Sequence, residues 1–257
     1  VGKNNEFAYK IAKSVAEKKM SYNLFFIYGD VGVGKTHLMY AIVNQITRDF
    51  PNENVVYLTA EEFTNQLINS IKKKKYEQFR RWYRNIDFLL IDDIQFIVGK
   101  ERIEEVVLNV CDFLYHNQKK IVIASSCKIN NFIVSSQRLK TRFANGVLAN
   151  ISMQEYKTRQ AILGNKIKDE NIEINKEILT YIVKKSNLSI RAMMGLVNTI
   201  KAHKDLIRNS IPEEKIKMLK ELPNDLLGIV ITQIDARDFA DLLINRCPEI
   251  LAQIVAR

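Results

Sequence analysis

The chain has 257 residues, of which 47% are hydrophobic and 26% charged, enough for a substantial core in one or two domains. No run approaches the roughly 18 consecutive apolar residues that a membrane span requires. The three cysteines form no C-x-x-C pair, which argues against a zinc site or a disulfide framework and favours a cytoplasmic location. The net charge of +10 favours a polyanionic partner, nucleic acid ahead of membrane, although a lysine-rich compositional bias gives the same excess. Because the sequence starts at Val1 without a methionine or a signal-peptide pattern, we expect a fragment of a longer protein.

The order of apolar patterns predicts helices alternating with short buried strands over the first 126 residues. Helices are predicted at 6–19, 35–46, 60–75, 76–85 and 101–118, and strands at 24–29, 54–59, 87–93 and 120–126. Such alternation is typical of a parallel sheet with helical crossovers. From about Tyr156 onward the patterns are helical, and no strand is predicted. The sequence therefore predicts an α/β core followed by a small all-α domain.

The stretch "IYGDVGVGKTHL" matches the phosphate-loop pattern G-x-x-x-x-G-K-[ST] between a predicted strand and a predicted helix. Gly29, Gly32 and Gly34 let backbone N–H groups approach phosphate oxygens, and the start of the next helix attracts the same anion. Lys35 is expected to reach the β- and γ-phosphates, and the Thr36 hydroxyl to ligate magnesium.

A second acidic motif, "LLIDD", ends an apolar strand with two carboxylates. Beside a phosphate loop, such a strand predicts Asp92 as the Walker B magnesium residue, and Asp93 as the group that orients or deprotonates the attacking water. Two acids at this position could alternatively cap the following helix. The phosphate loop favours the catalytic interpretation, because the two motifs explain each other.

Three longer stretches, "YNLFFIYGDVGVGKTHL", "YRNIDFLLIDDIQFIVGKE" and "QRLKTRFANGV", closely resemble the AAA+ ATPase domain of the bacterial replication initiator family DnaA, from about Gly2 to about His203. The resemblance implies a P-loop AAA+ α/β core with helices on both faces of a parallel sheet, followed by a small all-α lid. It places the core at 1–152, with an initiator-type helical insertion at 60–85, and the lid at 153–208. It assigns no role to a C-terminal helical segment at 209–257.

The resemblance also assigns nucleotide residues, with ATP or ADP and Mg²⁺ as the cofactors. Asn5 in "GKNNEFA" is expected to contact the adenine, and His37 belongs to the same binding set. Arg142 in "RLKTRF" matches the arginine finger that reaches the γ-phosphate bound by a neighbouring subunit, with Arg138 supporting it. Arg191 in "SIRAMMG" matches the sensor 2 arginine of the lid. For each arginine, the alternative is an ordinary surface charge.

By position in the family, Ile68, Lys100 and Arg102 would face single-stranded DNA inside a helical filament of identical subunits. Cations hold the phosphodiester backbone, and an apolar side chain packs against sugar or base. The alternative for Lys100 and Arg102 is a charged helix start. Duplex origin DNA is expected as a partner only if a C-terminal domain is present, and a contact with acidic lipid stays open.

The implied function is the ATPase core of DNA replication initiation: ATP binding drives head-to-tail assembly and origin unwinding, and slow hydrolysis ends it. One residue departs from the family, since Cys127 occupies the sensor 1 position where an aspartate is usual. A thiol is a poor hydrogen-bond acceptor. Cys127 therefore favours one alternative, an initiator-like regulator that binds nucleotide without hydrolysing it. The other alternative within AAA+ is a helicase loader related to initiators.

Overall fold

The computed structural model describes residues 2, 4–19, 21–132, 137–169, 172, 179, 180, 182, 183 and 190–209. The strands of this part are β1 Leu24–Tyr28, β2 Val55–Thr59, β3 Phe88–Asp92, β4 Lys120–Ser125 and β5 Val147–Asn150. Its helices are α1 Glu6–Ala16, α2 Lys35–Asp49, α3 Ala60–Lys72, α4 Tyr76–Arg84, α5 Glu101–His116, α6 Gln137–Ala144, α7 Tyr156–Asp169 and α8 Ile190–Asn209. Short 3₁₀ helices lie at Ile94–Ile97 and Ile129–Asn131.

The five strands form one parallel sheet in the order β2-β3-β4-β1-β5, which confirms the predicted α/β class. The edge strand β5 was not predicted from the sequence. It has only four residues, and Leu148 is exposed, so the segment lacks the continuous apolar run that indicated the other strands. Pairing with β1 makes it a strand, and no local pattern shows that pairing.

Successive side chains of β1 point alternately to the two faces of the sheet, and each face has its own buried cluster. Phe25 and Ile27 pack with α1 and α2, whereas Leu24 and Phe26 pack with α3, α5 and α6. All four side chains are fully buried. A strand with apolar residues on both faces requires helices on both sides, because successive side chains point in opposite directions. The structure shows this arrangement.

Local chemistry sets where several helices begin and end. The Thr59 hydroxyl accepts from the Glu62 N–H, and the Glu62 carboxylate accepts in return from the Thr59 N–H, a reciprocal cap that starts α3. Helix α1 ends at Ala16, earlier than predicted, because Lys18 adopts a left-handed conformation with φ of 56°.

The chain divides into two compact units, Val1–Gln154 and Glu155–Arg257. The first contains the sheet. In the second, Leu163 of α7 and Met193 and Val197 of α8 belong to a separate buried cluster. Part of the helical pattern predicted after Tyr156, the stretch "NKEILTYIVKKS", lies largely outside the described residues, and Cys247 and the segment beyond Asn209 lie entirely outside them. Among the residues that the structure describes, no helix is long and apolar enough to cross a membrane.

Candidate nucleotide site

Three loops that carry predicted functional residues leave the sheet at one edge. The phosphate loop follows β1, Asp92 ends β3, and Cys127 lies two residues after β4. Since β3, β4 and β1 are adjacent and parallel, their carboxyl ends lie side by side. This edge is where ligands bind in open α/β sheets.

The phosphate loop is shaped by glycines whose backbone conformations are unfavourable for other residues. At Gly29 an added Cβ would collide with the Ile151 carbonyl, so only glycine fits against the end of β5. Gly34 precedes α2 with φ of 108° and ψ of 17°. No side chain caps α2, and the partial positive charge at its start is therefore well placed for a phosphate group.

Lys35 is folded back onto the loop and is only 7% exposed. Its ammonium donates to the carbonyl oxygens of Gly29, at 2.7 Å, and Asp30, at 2.9 Å. Burial lowers the pKa of Lys35 below its ordinary value, although the carboxylates of Asp93, Asp92 and Asp30 act in the opposite direction. The carbonyl oxygens of Gly29 and Asp30 thus accept the hydrogen bonds that phosphate oxygens would accept from the Lys35 ammonium.

Asp92 joins the two predicted nucleotide motifs. Its Oδ2 accepts from the Thr36 hydroxyl at 2.6 Å, and its Oδ1 accepts from the Asp93 N–H at 2.8 Å. A residue that the sequence did not single out, Tyr57 of β2, also donates to Oδ2 at 3.1 Å. The carboxylate is 2% exposed. The two predicted magnesium residues are thus in direct contact.

The second acid of the motif is oriented by another residue that sequence reasoning missed. Asp93 has the left-handed conformation φ 54°, ψ 45°, and its Oδ1 accepts from the Gln95 amide at 2.8 Å. The Gln95 oxygen accepts from the Ser126 N–H at 3.1 Å. Gln95 therefore ties Asp93 to the end of β4, where a sensor 1 group belongs.

Cys127 itself lies beside Ser125. The Cys127 N–H donates to the Ser125 hydroxyl oxygen at 3.1 Å, and the Cys127 sulfur lies 3.6 Å from the same oxygen. Ser125 is fully buried. The thiol thus shares the serine hydroxyl with its own backbone, and no acid stands at this position.

The predicted adenine segment lies next to the phosphate loop. The Asn4 amide donates to the Ser152 carbonyl at 2.9 Å, just after the residue that faces Gly29. Asn5 begins α1, and its side-chain oxygen accepts from the Gly2 N–H at 2.9 Å. This bond folds the first residues back over the start of α1.

Two further residues border the loop. His37 is exposed on the first turn of α2. Gln154, which the sequence did not single out, is 9% exposed, and its amide donates to the Val33 carbonyl at 2.7 Å. The end of the first unit is thereby fixed to the phosphate loop.

Arg142 of α6 is held by residues of its own chain. It forms an ion pair with Asp112 of α5, and its guanidinium lies 4.9 Å from the centre of the Tyr115 ring. The arginine side chain is 21% exposed and the Asp112 side chain 35% exposed. Arg138, one turn earlier, is exposed. Sequence reasoning missed Asp112 and Tyr115, because nothing in the spacing of α5 shows which helix packs beside it.

The predicted DNA residues are exposed on neighbouring elements. Ile68 of α3 is 38% exposed, and α3 packs against the 3₁₀ helix that follows β3. Lys100 and Arg102 lie exposed at the start of α5. The loop before them is fixed by buried Glu104, which accepts from the Gly99 N–H at 2.6 Å. Arg191 is exposed on α8 in the second unit.

Comparisons with known proteins identify the family. The profile of the bacterial DnaA ATPase domain matches residues 1–150. The chain belongs to this family. It is 43% identical over 218 residues to the chromosomal replication initiator protein DnaA of Caldanaerobacter subterraneus subsp. tengcongensis, an alignment that covers 84% of this chain and 49% of that protein. The chain therefore spans about half the length of the curated relatives it matches.

Solved DnaA structures have the same fold. Domain III of DnaA from Thermotoga maritima matches with a TM-score of 0.76 and 32% identity, covering 86% of this chain and 93% of that one. A DnaA bound to AMPPCP and single-stranded DNA matches with a TM-score of 0.70 and 27% identity, covering all of this chain and 88% of that one. DnaA membership confirms the AAA+ α/β core predicted from the sequence.

Proposed function

We propose that this DnaA-family chain is the ATPase core of a replication initiator in the cytoplasm, switched by its nucleotide between an assembled and a dispersed state. The observation that carries the proposal is the Thr36–Asp92 contact at 2.6 Å, with Lys35 held on the loop beside it. A related DnaA binds AMPPCP and single-stranded DNA, which supports both ligands.

The residues fit a nucleotide with magnesium. Lys35 exchanges the loop carbonyls for β- and γ-phosphate oxygens, and the uncapped start of α2 holds the phosphates. Bound Mg²⁺ would neutralise charge on the phosphates. Thr36 with Asp92 is a set suited to Mg²⁺, which keeps waters and phosphates among its ligands. Asn5 and His37 line the nucleotide.

Hydrolysis is assigned to Asp93 and its neighbours. Asp93 orients the attacking water and accepts its proton, and Gln95 fixes the carboxylate for that role. Cys127 offers a weak acceptor beside this group, so turnover is slow and ends the active state rather than driving a motor. The same cysteine is the observation that favours the second candidate, a regulator that binds ATP without hydrolysing it.

Assembly is assigned to Arg142. In a head-to-tail filament its guanidinium approaches the γ-phosphate of the neighbouring subunit, where a planar fork stabilises phosphate charge. On its own chain the same group pairs with Asp112. When subunits join, Arg142 therefore exchanges the Asp112 carboxylate for the γ-phosphate of the neighbour. Asp112 competes with that phosphate for the guanidinium. Arg138 supports the finger, and Arg191 in the helical lid (153–208) is assigned the sensor 2 role.

DNA binding is assigned to two exposed groups: Ile68 on the helical insertion (60–85), and Lys100 with Arg102 at the start of α5. The cations hold backbone phosphates, and the apolar side chain contacts sugar or base. Single-stranded DNA is the partner of this core. Duplex origin DNA requires a domain beyond it, and any contact with acidic lipid is secondary.

One experiment tests these assignments together: sizing the protein with ATP, with ADP, and with ATP plus an oligonucleotide, while phosphate release is followed. We expect large assemblies with ATP, larger ones with DNA, dispersed protein with ADP, and slow release of phosphate. Assembly without phosphate release identifies the non-hydrolysing regulator. Monomeric protein in all three conditions contradicts the initiator assignment and favours a helicase loader.

A further inference from the structure

Tyr57 lies on the face of β2 that is turned toward the phosphate-loop helix. Its neighbour in the strand pairing is Leu90 of β3, two residues before Asp92. Leu90 belongs to the buried cluster that includes residues of α1 and α2, and Tyr57 packs against this cluster, with its ring on Tyr40 of α2. Since side chains two residues apart point to the same side, Asp92 faces the same helices. The sheet therefore brings the phenol and the carboxylate together from adjacent strands.

The hydrogen bonds divide the two oxygens of Asp92 between different tasks. Oδ2 accepts two hydroxyl protons, from Thr36 and from Tyr57. Within the described part of the chain, Oδ1 accepts from the Asp93 N–H alone. A carboxylate oxygen has two lone-pair sites, so Oδ2 is saturated while Oδ1 keeps one site. Oδ1 is the oxygen left to accept from a water on a metal ion.

The Tyr57 hydroxyl is a dependable donor. Its phenol has one proton to donate, and the ionised carboxylate of Asp92 can only accept it. Its ring is fixed against Tyr40 of α2, with 4.5 Å between ring centres. Because the Tyr57 ring is fixed by packing on Tyr40, its hydrogen bond restrains the rotation of the Asp92 carboxylate.

We infer that Tyr57 is a positioning residue for magnesium: its hydroxyl anchors Oδ2 of Asp92 and turns Oδ1 and the Thr36 oxygen toward the metal. Because the Thr36 hydroxyl proton is donated to Asp92, the lone pairs of its oxygen remain to bind a metal ion. This inference rests on the proposed magnesium role of Asp92. It adds a residue that touches neither the nucleotide nor the ion.

The test is the magnesium dependence of nucleotide affinity in Tyr57→Phe, measured with a fluorescent ATP analogue over a series of free Mg²⁺ concentrations and in EDTA. Tyr57→Phe keeps the ring and its packing on Tyr40. We expect unchanged affinity in EDTA and a Mg²⁺ midpoint raised on the order of 10-fold, as is usual when a partner of a metal ligand is removed. The matched control Tyr22→Phe, which removes an exposed phenol before β1, keeps the wild-type midpoint, and Asp92→Asn raises it further.

The outcomes separate the inference from the proposal it rests on. A shifted midpoint in Asp92→Asn with a wild-type midpoint in Tyr57→Phe overturns the role of Tyr57 alone. Wild-type midpoints in both variants overturn the magnesium assignment of Asp92 and this inference with it. A Tyr57→Phe protein that loses affinity equally in EDTA and in Mg²⁺ has lost structure rather than metal positioning, which also overturns the inference.

Discussion

The residues of the nucleotide site contact one another within the chain, whereas the residues assigned to assembly and DNA binding do not meet their proposed partners there. At the nucleotide site, Thr36 already contacts Asp92, and Lys35 is already fixed on the loop. Among the outward residues, Arg142 pairs with Asp112 of its own chain, and Lys100 is exposed. Under the proposed function, the phosphate-binding residues are arranged within one chain, whereas assembly and DNA binding depend on what approaches it.

Lys35→Ala is the largest expected disruption, because it removes the one buried ammonium of the phosphate loop. We expect ATP affinity to fall on the order of 100-fold or more, since a charged hydrogen bond to phosphate is lost without replacement. Equilibrium binding of a fluorescent ATP analogue measures this loss. Affinity near the wild-type value would contradict the claim that the monomer alone builds the site.

Arg142→Ala tests the proposed assembly role of the residues that face outward from the core. ATP binding is expected to stay unchanged, because Arg142 contacts α5 rather than the phosphate loop. ATP-dependent assembly is expected to be lost, since the partner's γ-phosphate loses its cation. Analytical ultracentrifugation with ATP checks the second expectation. Assembly at the wild-type level would remove Arg142 from the role of finger, and Arg138→Ala in the same assay shows whether the exposed neighbour contributes.

Replacing Lys100 and Arg102 together by alanine has a smaller expected effect, confined to DNA. Affinity for a single-stranded oligonucleotide should fall on the order of 10-fold, and its salt dependence should flatten by about 1.4 in the log–log slope. Fluorescence anisotropy over a range of salt concentrations measures both. The matched control removes Lys10 and Lys13, two exposed lysines of α1; an equal loss in the control would show that net charge alone, not this site, binds DNA.

Asp112→Asn is expected to give the smallest change, and in the opposite direction. If Arg142 acts as the proposed finger, the Asp112 carboxylate competes with the partner's phosphate for it, so neutralising Asp112 should lower the protein concentration needed for ATP-dependent assembly. A partly exposed ion pair corresponds to roughly a two- to fivefold shift. Concentration-dependent light scattering detects it, with Glu105→Gln on an exposed face of α5 as the control. A higher required concentration would mean that Asp112 orients the finger instead of restraining it.

Much of the core could be predicted from sequence because its motifs are local. The phosphate loop and "LLIDD" each follow a buried strand, and parallel strands bring such ends to one edge. Four of the five strands were predicted from such local patterns, and so were the helices of the core except α6 Gln137–Ala144. β5 was missed because a four-residue segment with Leu148 exposed has no pattern of its own and becomes a strand by pairing with β1.

The supporting residues could not be predicted, because they act across long separations in the sequence. Tyr57 lies 35 residues before Asp92, and Gln154 lies 121 residues after Val33. A tyrosine in a strand and a glutamine before a helix are ordinary residues until the sheet order is known. Asp112 and Tyr115 could not be predicted for the same reason, since only the packing of α6 beside α5 brings Arg142 to them.

Helix α5 contains both a residue proposed to bind DNA and the residue that pairs with the proposed arginine finger. Arg102 lies in its first turn, and Asp112, the anchor of Arg142, lies ten residues later, about 15 Å along the axis and roughly 80° around it. The Glu104–Gly99 bond pins the first end to the loop after β3. On the proposed roles, the length of α5 therefore sets the distance between the nucleic-acid contact and the subunit contact. One residue inserted in α5 would rotate one of them by about 100° relative to the other.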